Sequence, residues 1–227
     1  MKLLALDTST EACSAALWID GDTREDFQRT PGGHGRHILA MANALLEEAG
    51  IGLTALDALA FGRGPGGFTG VRMATGIIQG LALGLDIPVV PVSSLAALAQ
   101  GAADGLRAGS LLAAIDARMN EVYWGAYRRG DNGLVALLGE ERVDAPQAVA
   151  VPAPGPWWGV GSGWASYADE LGARLGRQLE GVDGDRFPRA AAVAALAAED
   201  YRRGRTVTVD QVSPVYLRDR VARKPGR

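Results

Sequence analysis

Three short segments carry residue types in patterns that could do chemistry. The first, Asp7-Thr8-Ser9-Thr10, closes the first apolar run of the chain. A carboxylate followed by three hydroxyls at a strand end could offer N–H groups and hydroxyls to a phosphate, with Asp7 facing a metal ion. Asp, Ser and Thr also make a good turn without any ligand, and both readings stand. The second, Gly62-Arg-Gly-Pro-Gly-Gly67, matches G-x-G-x-x-G between an expected strand and an expected helix. A dinucleotide fold is not implied, because that motif belongs after the first strand, with an acid ending the next one. Here the next strand, Pro88–Val92, ends without an acid, and Pro65 removes a backbone donor. The loop still brings Gly64, Gly66, Gly67 and Thr69 to a helix start, where Thr69 is expected to cap and free N–H groups to attract an anion. The same loop could instead shape a tight turn that presents Phe68 and Arg72. The third, His34 and His37, puts two imidazoles three apart. A zinc-dependent hydrolase wants an acid between two histidines and a third ligand, so no metal site is expected. Asp116-Ala-Arg118 with Glu121 reads as an ion-pair turn. With two histidines and one cysteine in the chain, no Ser/His/Asp or Cys/His arrangement stands out, and no catalytic residue is assigned.

The elements that must position these segments alternate between strands and helices. Residues 2–7 read as a buried strand, 14–20 and 23–29 as a hairpin about Asp20-Gly21-Asp22. A helix comes next at 34–49, with Gly50 placed to end it. Ile38, Leu39, Met41, Ala42, Leu45, Leu46 and Ala49 cover more than the one apolar face that packing on a sheet requires. Strand 56–62 leads through the glycine loop to a helix at 69–84. There Gly76, Gly80 and Gly84 recur every four residues, which suggests that something packs close to that backbone. Strand 88–92 and a helix at 95–102 precede a connector at 103–109. The pattern then restarts with strands 111–116, 122–128 and 134–138, then strand 157–161, a helix near 164–175 and an Ala-rich helix at 190–203. Asp116 ends a strand as Asp7 does, so duplication is a simple explanation. The reading is an α/β protein of two tandem lobes: 1–104, 110–205, and a tail at 206–227.

Composition narrows the function classes. The 227 residues carry a formal charge of −3, and only Lys2 and Lys224 of 23 basic residues are lysines. A protein that grips nucleic acid by itself usually has a basic excess. The cluster Arg218, Arg220, Arg223, Lys224 and Arg227 leaves a local contact to nucleic acid open. Cys13 lies in the apolar run ACSAALWI and reads as a buried thiol. No signal peptide and no 18-residue apolar run is seen, so the expected location is the cytoplasm with no membrane contact.

Several longer segments together resemble the bacterial TsaB family, also called YeaZ. They are LALDTSTEACSAALW at 4–18, His34 before its helix, GRGPGGFTGVRMATGIIQGLALG at 62–84, DARMNEVYW at 116–124 and PVYLRD at 214–219. Gly67 departs from the family, which usually has Ser there. The resemblance implies an ASKHA fold, as in actin and hexokinase, and a role in making N6-threonylcarbamoyladenosine at position 37 of tRNA. In such systems the catalytic subunit TsaD transfers the group, TsaB pairs with TsaD without being catalytic itself, and the ATPase TsaE joins them. It also implies homodimers when TsaD is missing, tRNA contact only through the complex, and no intrinsic cofactor beyond ATP or ADP at the interface with TsaD and TsaE. TsaD has a metal-binding HxxxH, whereas His34 and His37 are spaced as HxxH. The family docks through its first two helices, so Ile38, Met41, Ala42, Leu45, Val71, Thr75, Ile78 and Gln79 are the expected interface. The alternatives are a small-molecule kinase of the same fold, using Asp7, Thr8 and the glycine loop, and an M22-like peptidase, an older label for relatives.

Overall fold

The computed structural model describes residues 1–29, 34–106, 108–150 and 155–218. The first lobe opens with β1 (Lys2–Asp7), β2 (Ala12–Ile19) and β3 (Asp22–Arg29). Asp20 and Gly21 join β2 to β3 with φ of 51° and 112°, the left-handed pair that a tight hairpin needs. Then come α1 (His34–Ala49), β4 (Ala58–Gly62), α2 (Phe68–Leu85), β5 (Val89–Val92) and α3 (Ser94–Leu106). Gly50, at φ 66°, ends α1, with Ile51 N–H returning to Leu46 O at 3.1 Å. The second lobe holds β6 (Ser110–Arg118), β7 (Glu121–Arg129), β8 (Val135–Asp144), β9 (Trp157–Val160), α4 (Ser162–Ser166), α5 (Ala168–Leu175), β10 (Leu179–Asp183) and α6 (Ala190–Arg202).

The strand order is β3-β2-β1-β4-β5 in one sheet and β10-β9-β6-β7-β8 in the other. Read from the first strand of each lobe, these are the same order. In both, the first three strands are antiparallel, and the fourth joins the first in parallel. That duplicated arrangement is the ASKHA fold.

Strand alternation sorts the first core into two layers. Leu4 and Leu6 of β1 face α1 and α2, while Leu3 and Ala5 face α6. Most residues on the α6 side are Ala or Val, which allows close approach of helix and sheet. α3 lies over the second sheet, where Leu95, Leu98 and Ala102 meet Leu111, Ala113 and Tyr127. On the far side of that sheet Trp157, Trp164, Leu171 and Leu175 fill the layer under α4 and α5. The Trp164 indole N–H donates to Leu112 O at 2.9 Å, which satisfies its one polar atom in a fully buried site.

Helix membership departs from the predicted lobes 1–104, 110–205 and 206–227. The strands form two sheets, β1–β5 and β6–β10, but α6 crosses back to pack on β1, β2 and β4, and α3 serves the second sheet. The reason is visible at the start of α6. Ser14 Oγ accepts the Ala190 N–H at 2.8 Å, Glu25 accepts the Ala191 N–H at 3.0 Å, and Arg189 pairs with Glu25. Two open donors of the helix are thus capped by first-lobe side chains. The expected tail also returns, since Val207 exchanges backbone bonds with Val89. There are also local differences, among them these. β10 lies outside the predicted strands, β8 runs on to Asp144, α3 continues through the expected connector to Leu106, and the helix near 164–175 breaks at Tyr167 into α4 and α5. By length and composition alone α2 is apolar enough to cross a membrane, although its glycines and polar residues interrupt any continuous apolar run. Its Val71, Ala74, Thr75, Ile78 and Ala82 lie buried on the sheet.

Ser14→Ala is expected to lower the unfolding free energy in urea by about 1–2 kcal/mol. It should also speed amide exchange in α6 and β2 before the second sheet is affected; equal loosening of both sheets would contradict this account of the α6 cap.

Candidate functional site

The β1–β2 hairpin and the glycine loop meet face to face. Gly67 N–H donates to Ser9 O at 2.7 Å, and the Thr8 hydroxyl donates to Gly70 O at 2.7 Å. Both contacts depend on missing side chains. A Cβ on Gly66 would overlap Ser9 O, and one on Gly70 would overlap Thr8 O. Gly64 N–H donates to Ser94 Oγ at 3.2 Å, and Ser94 N–H returns to Gly64 O at 3.0 Å. The hairpin's hydroxyl and carbonyls are therefore spent on the loop.

Asp7 is drawn into the same packing. It is 1% exposed, and its Oδ1 accepts the Ser9 N–H at 2.9 Å and the Ser9 hydroxyl at 2.7 Å. A Cβ on Gly62 would overlap the Asp7 carboxylate, so strand β4 roofs it directly. Its Oδ2 has no hydrogen-bond partner among the described residues. Burial pushes the Asp7 carboxyl up from 3.8 to about 6, against the pull of the two Ser9 bonds and with a small push from Glu25. Asp7 does not face a space where a metal ion or phosphate could sit, so its expected ligand role is not what the geometry provides.

Beside the hairpin lies a cleft of about 670 Å³ between the lobes. Thr10, Glu11 and residues 66–70 form one wall. Asp116, Arg118, Met119 and Tyr123 form the other, and Tyr216 and Arg218 cross the mouth. Thr69 lines this space and is exposed, but it does not cap α2: the helix starts at Phe68, and the cap position is Gly67, with no side-chain bond. Asp116 repeats the Asp7 turn in the second lobe, its Oδ1 accepting Arg118 N–H at 2.8 Å. Unlike Asp7 it stays at the cleft wall and pairs with Arg118 Nη1 at 3.1 Å. Arg118 also reaches Glu11 across the cleft at 3.2 Å. Arg118, Met119 and Asn120 all have positive φ, near 60°, a costly state for Arg and Met.

The residues expected to form a protein interface lie elsewhere. Ile38, Met41, Ala42, Leu45, Val71, Thr75 and Ile78 are all at most 5% exposed in the isolated chain. The Gln79 amide donates to Val212 O at 2.8 Å. Ile38, Met41, Ala42, Leu45 and Ile78 belong to the core packed on the first sheet, and the Thr75 hydroxyl donates to Val71 O within α2 at 2.8 Å. Of the α1 apolar set, only Leu39 is exposed. The outward face of α2 is made of Thr69, Arg72, Gly76, Gly80, Leu83 and Gly84. Gly76, Gly80 and Gly84 have nothing within 4 Å of where a Cβ would stand, and Leu83 is 73% exposed. His37 is exposed on α1; the side chain of His34 lies outside the described residues. Among the described residues no group of three His, Cys, Asp or Glu could hold a metal ion. Arg218, read from sequence as one of a basic group open to tRNA, is instead paired with Glu121. Residues 219–227, with the rest of that group, lie outside the described residues. Glu11, Tyr123 and Tyr216 carry no local sequence signal of a site, since their shared cleft joins segments more than ninety residues apart.

Comparison with known proteins starts from the whole chain. It is 45% identical over 233 residues to the tRNA threonylcarbamoyladenosine biosynthesis protein TsaB of Escherichia coli strain K12, covering all of both sequences. The chain belongs to the TsaB family. The Haemophilus influenzae protein of the same name is 42% identical over 240 residues, covering 100% of this chain and 98% of the relative. A family model described as TsaD: tRNA N6-adenosine threonylcarbamoyltransferase matches residues 29–162. Among solved structures, YeaZ from Pseudomonas aeruginosa superposes with a TM-score of 0.89 at 46% identity, covering 95% of this chain and 99% of that one. A second Pseudomonas aeruginosa structure, described as similar to the peptidase YeaZ, gives 0.90 at 46% identity, covering 96% and 99%. The TsaB family membership agrees with the order of the segments DTST, GRGPGG and DARM along this chain.

Asp7→Asn tests the buried carboxyl. A carboxyl whose folded pKa is raised stabilises the fold below its unfolded value of 3.8, and that stability is lost as pH rises through about 6. The displacement is worth about 3 kcal/mol. The wild type should therefore lose stability between pH 4 and 6 relative to Asp7→Asn, which keeps an acceptor for Ser9. Parallel urea midpoints for the two chains across that window would contradict the assignment.

Proposed function

We propose that this chain is a non-catalytic subunit of the machinery that forms N6-threonylcarbamoyladenosine at position 37 of tRNA, and that it works by docking to the catalytic subunit TsaD. The observation that carries this reading is the bare outer face of α2, where three glycines and Leu83 stand uncovered. Exposed backbone of this kind lets a partner helix approach closely, and an exposed apolar patch marks an interaction site. The TsaD family model matches residues 29–162, which include α1 and α2, and a partner with a like pair of helices would offer a matching face. The same fit supports a homodimer when TsaD is absent. TsaE is read as joining the pair, and ATP or ADP as binding at the shared interface. Contact with tRNA is read as coming through the complex, and the site of action as the cytoplasm. The relatives' names support the tRNA-modification role.

The non-catalytic part rests on how the hairpin is used. Thr8 and Ser9 bond to Gly70 and Gly67, and the Asp7 carboxylate is taken up by Ser9 and packed against Gly62, which speaks against a kinase reading that uses these groups as phosphate and metal ligands. For the peptidase reading, the described residues supply no ligand cluster.

Gly80→Glu and Leu83→Asp are expected to abolish co-purification with TsaD and to stop modification in a reconstituted assay, with circular dichroism unchanged. Met41→Asp, by contrast, should unfold the chain, since Met41 is core. Wild-type affinity in both outer-face variants would refute this docking face.

A further inference from the structure

Residues 212–218 carry no regular secondary structure, yet they are tied down along their length. Val212 is buried, and its carbonyl accepts the Gln79 amide from α2. Val215 N–H donates to Arg63 O at 2.8 Å. Gly64 leaves room for the Val215 carbonyl, which a Cβ would approach to 2.8 Å. Arg218 then reaches the second lobe. Its guanidinium pairs with Glu121 and donates to Ala117 O at 3.0 Å, and its side chain is only 15% exposed. The segment is a strap across the cleft mouth with one end seated in each lobe.

The strap touches the outer face of α2 at one place. Tyr216 lies 5.2 Å from the Arg72 guanidinium, which sits 3.3 Å over the Phe68 ring. Phe68 and Tyr216 are 59% and 47% exposed. Helical spacing puts Arg72 on the same side as Gly76, Gly80 and Leu83. At the other end, Arg218 holds the β6–β7 turn, whose three left-handed residues need such support.

We propose that the strap couples docking to the cleft. A partner seated on the outer face of α2 removes water from the Phe68–Arg72–Tyr216 stack and seats the strap more firmly. The seated strap stiffens residues 117–123 on the opposite wall. A cation stacked on aromatic rings is held more strongly when desolvated, which gives the docked state its differential contact. Linkage makes the effect reciprocal: whatever docking does for the strap, the strap does for docking. The inference rests on the docking reading above.

The test compares the wild type, Tyr216→Ala, Arg218→Ala and Arg218→Met, each with purified TsaD as the probe. Arg218→Met keeps the apolar stem and serves if the alanine variant unfolds. Calorimetry reads affinity, and amide exchange reads residues 117–123. Docking is expected to slow exchange there in the wild type by about fivefold, and hardly at all in Tyr216→Ala. Loss of the Arg218 charge is expected to weaken docking by about tenfold, although Arg218 bonds to the second lobe. Wild-type affinity in the Arg218 variants, with exchange at 117–123 unmoved by TsaD, overturns the coupling and leaves docking standing. A wild-type chain that does not bind TsaD overturns both.

Discussion

Three missing Cβ atoms, at Gly62, Gly66 and Gly70, let the backbone of the first hairpin rest on the glycine loop and the first turn of α2. Everything at the front of the first lobe depends on that closeness. Gly62 roofs the Asp7 carboxylate, Gly66 admits Ser9 O, and Gly70 admits Thr8 O. Asp7, Thr8 and Ser9 are thereby drawn into the packing, while Thr10 and Glu11 stay at the cleft wall. The buried Asp7 is the residue that bears the cost. Its carboxyl is displaced upward because desolvation outweighs two good hydrogen bonds from Ser9. A carboxylate kept in such a place is held by packing around it rather than by a charge partner.

The duplicated sheets make the contrast between the lobes informative. Asp7 ends β1 and Asp116 lies near the end of the equivalent strand β6, and each accepts the N–H two residues on. One is sealed under a glycine strand, and the other stands at a cleft wall in a salt bridge with Arg118. The difference lies both in the segments packed over each hairpin and in the turn, which is left-handed at Arg118, Met119 and Asn120 but at no residue from Asp7 to Glu11. The lobes are then tied by pieces that ignore chain order. α6 packs on the first sheet with its N–H groups capped by Ser14 and Glu25, α3 packs on the second, and the strap at 212–218 ends in both.

That interlocking leaves one helical surface without a role in the monomer. α1 and α2 send most of their larger apolar residues inward, while Leu39, Phe68 and Leu83 stay exposed and α2 turns glycine outward. A solvated glycine stripe weakens a helix by about 0.5–1 kcal/mol per residue relative to alanine. No contact among the described residues offsets this at Gly76, Gly80 and Gly84, which is why their outward position points beyond the monomer. The aromatic and arginine stack at the N-terminal end of α2 extends the same face toward the strap and the cleft.

Much of this is legible in the residues themselves. Apolar runs mark nine of the ten strands among the described residues, and Asp20-Gly21 and Gly50 mark a turn and a helix end. The two aspartates mark the repeat, and the ordered segments around the glycine loop and DARM mark the TsaB family. These are local properties, written within a few residues of one another. The strand β10, LEGVD, escapes because its alternation is broken by Gly and its outward residues are mixed. The direction of the helix faces escapes for a deeper reason. Ile38, Met41 and Ile78 are apolar whether a helix face meets its own sheet or a partner, and periodicity gives a face without giving its direction. Which side is inward, whether Thr8 meets solvent or Gly70, and that Arg218 finds Glu121 across ninety-seven residues are all fixed by contacts between distant segments. Only the packed chain decides them, because only there do the missing Cβ atoms acquire neighbours.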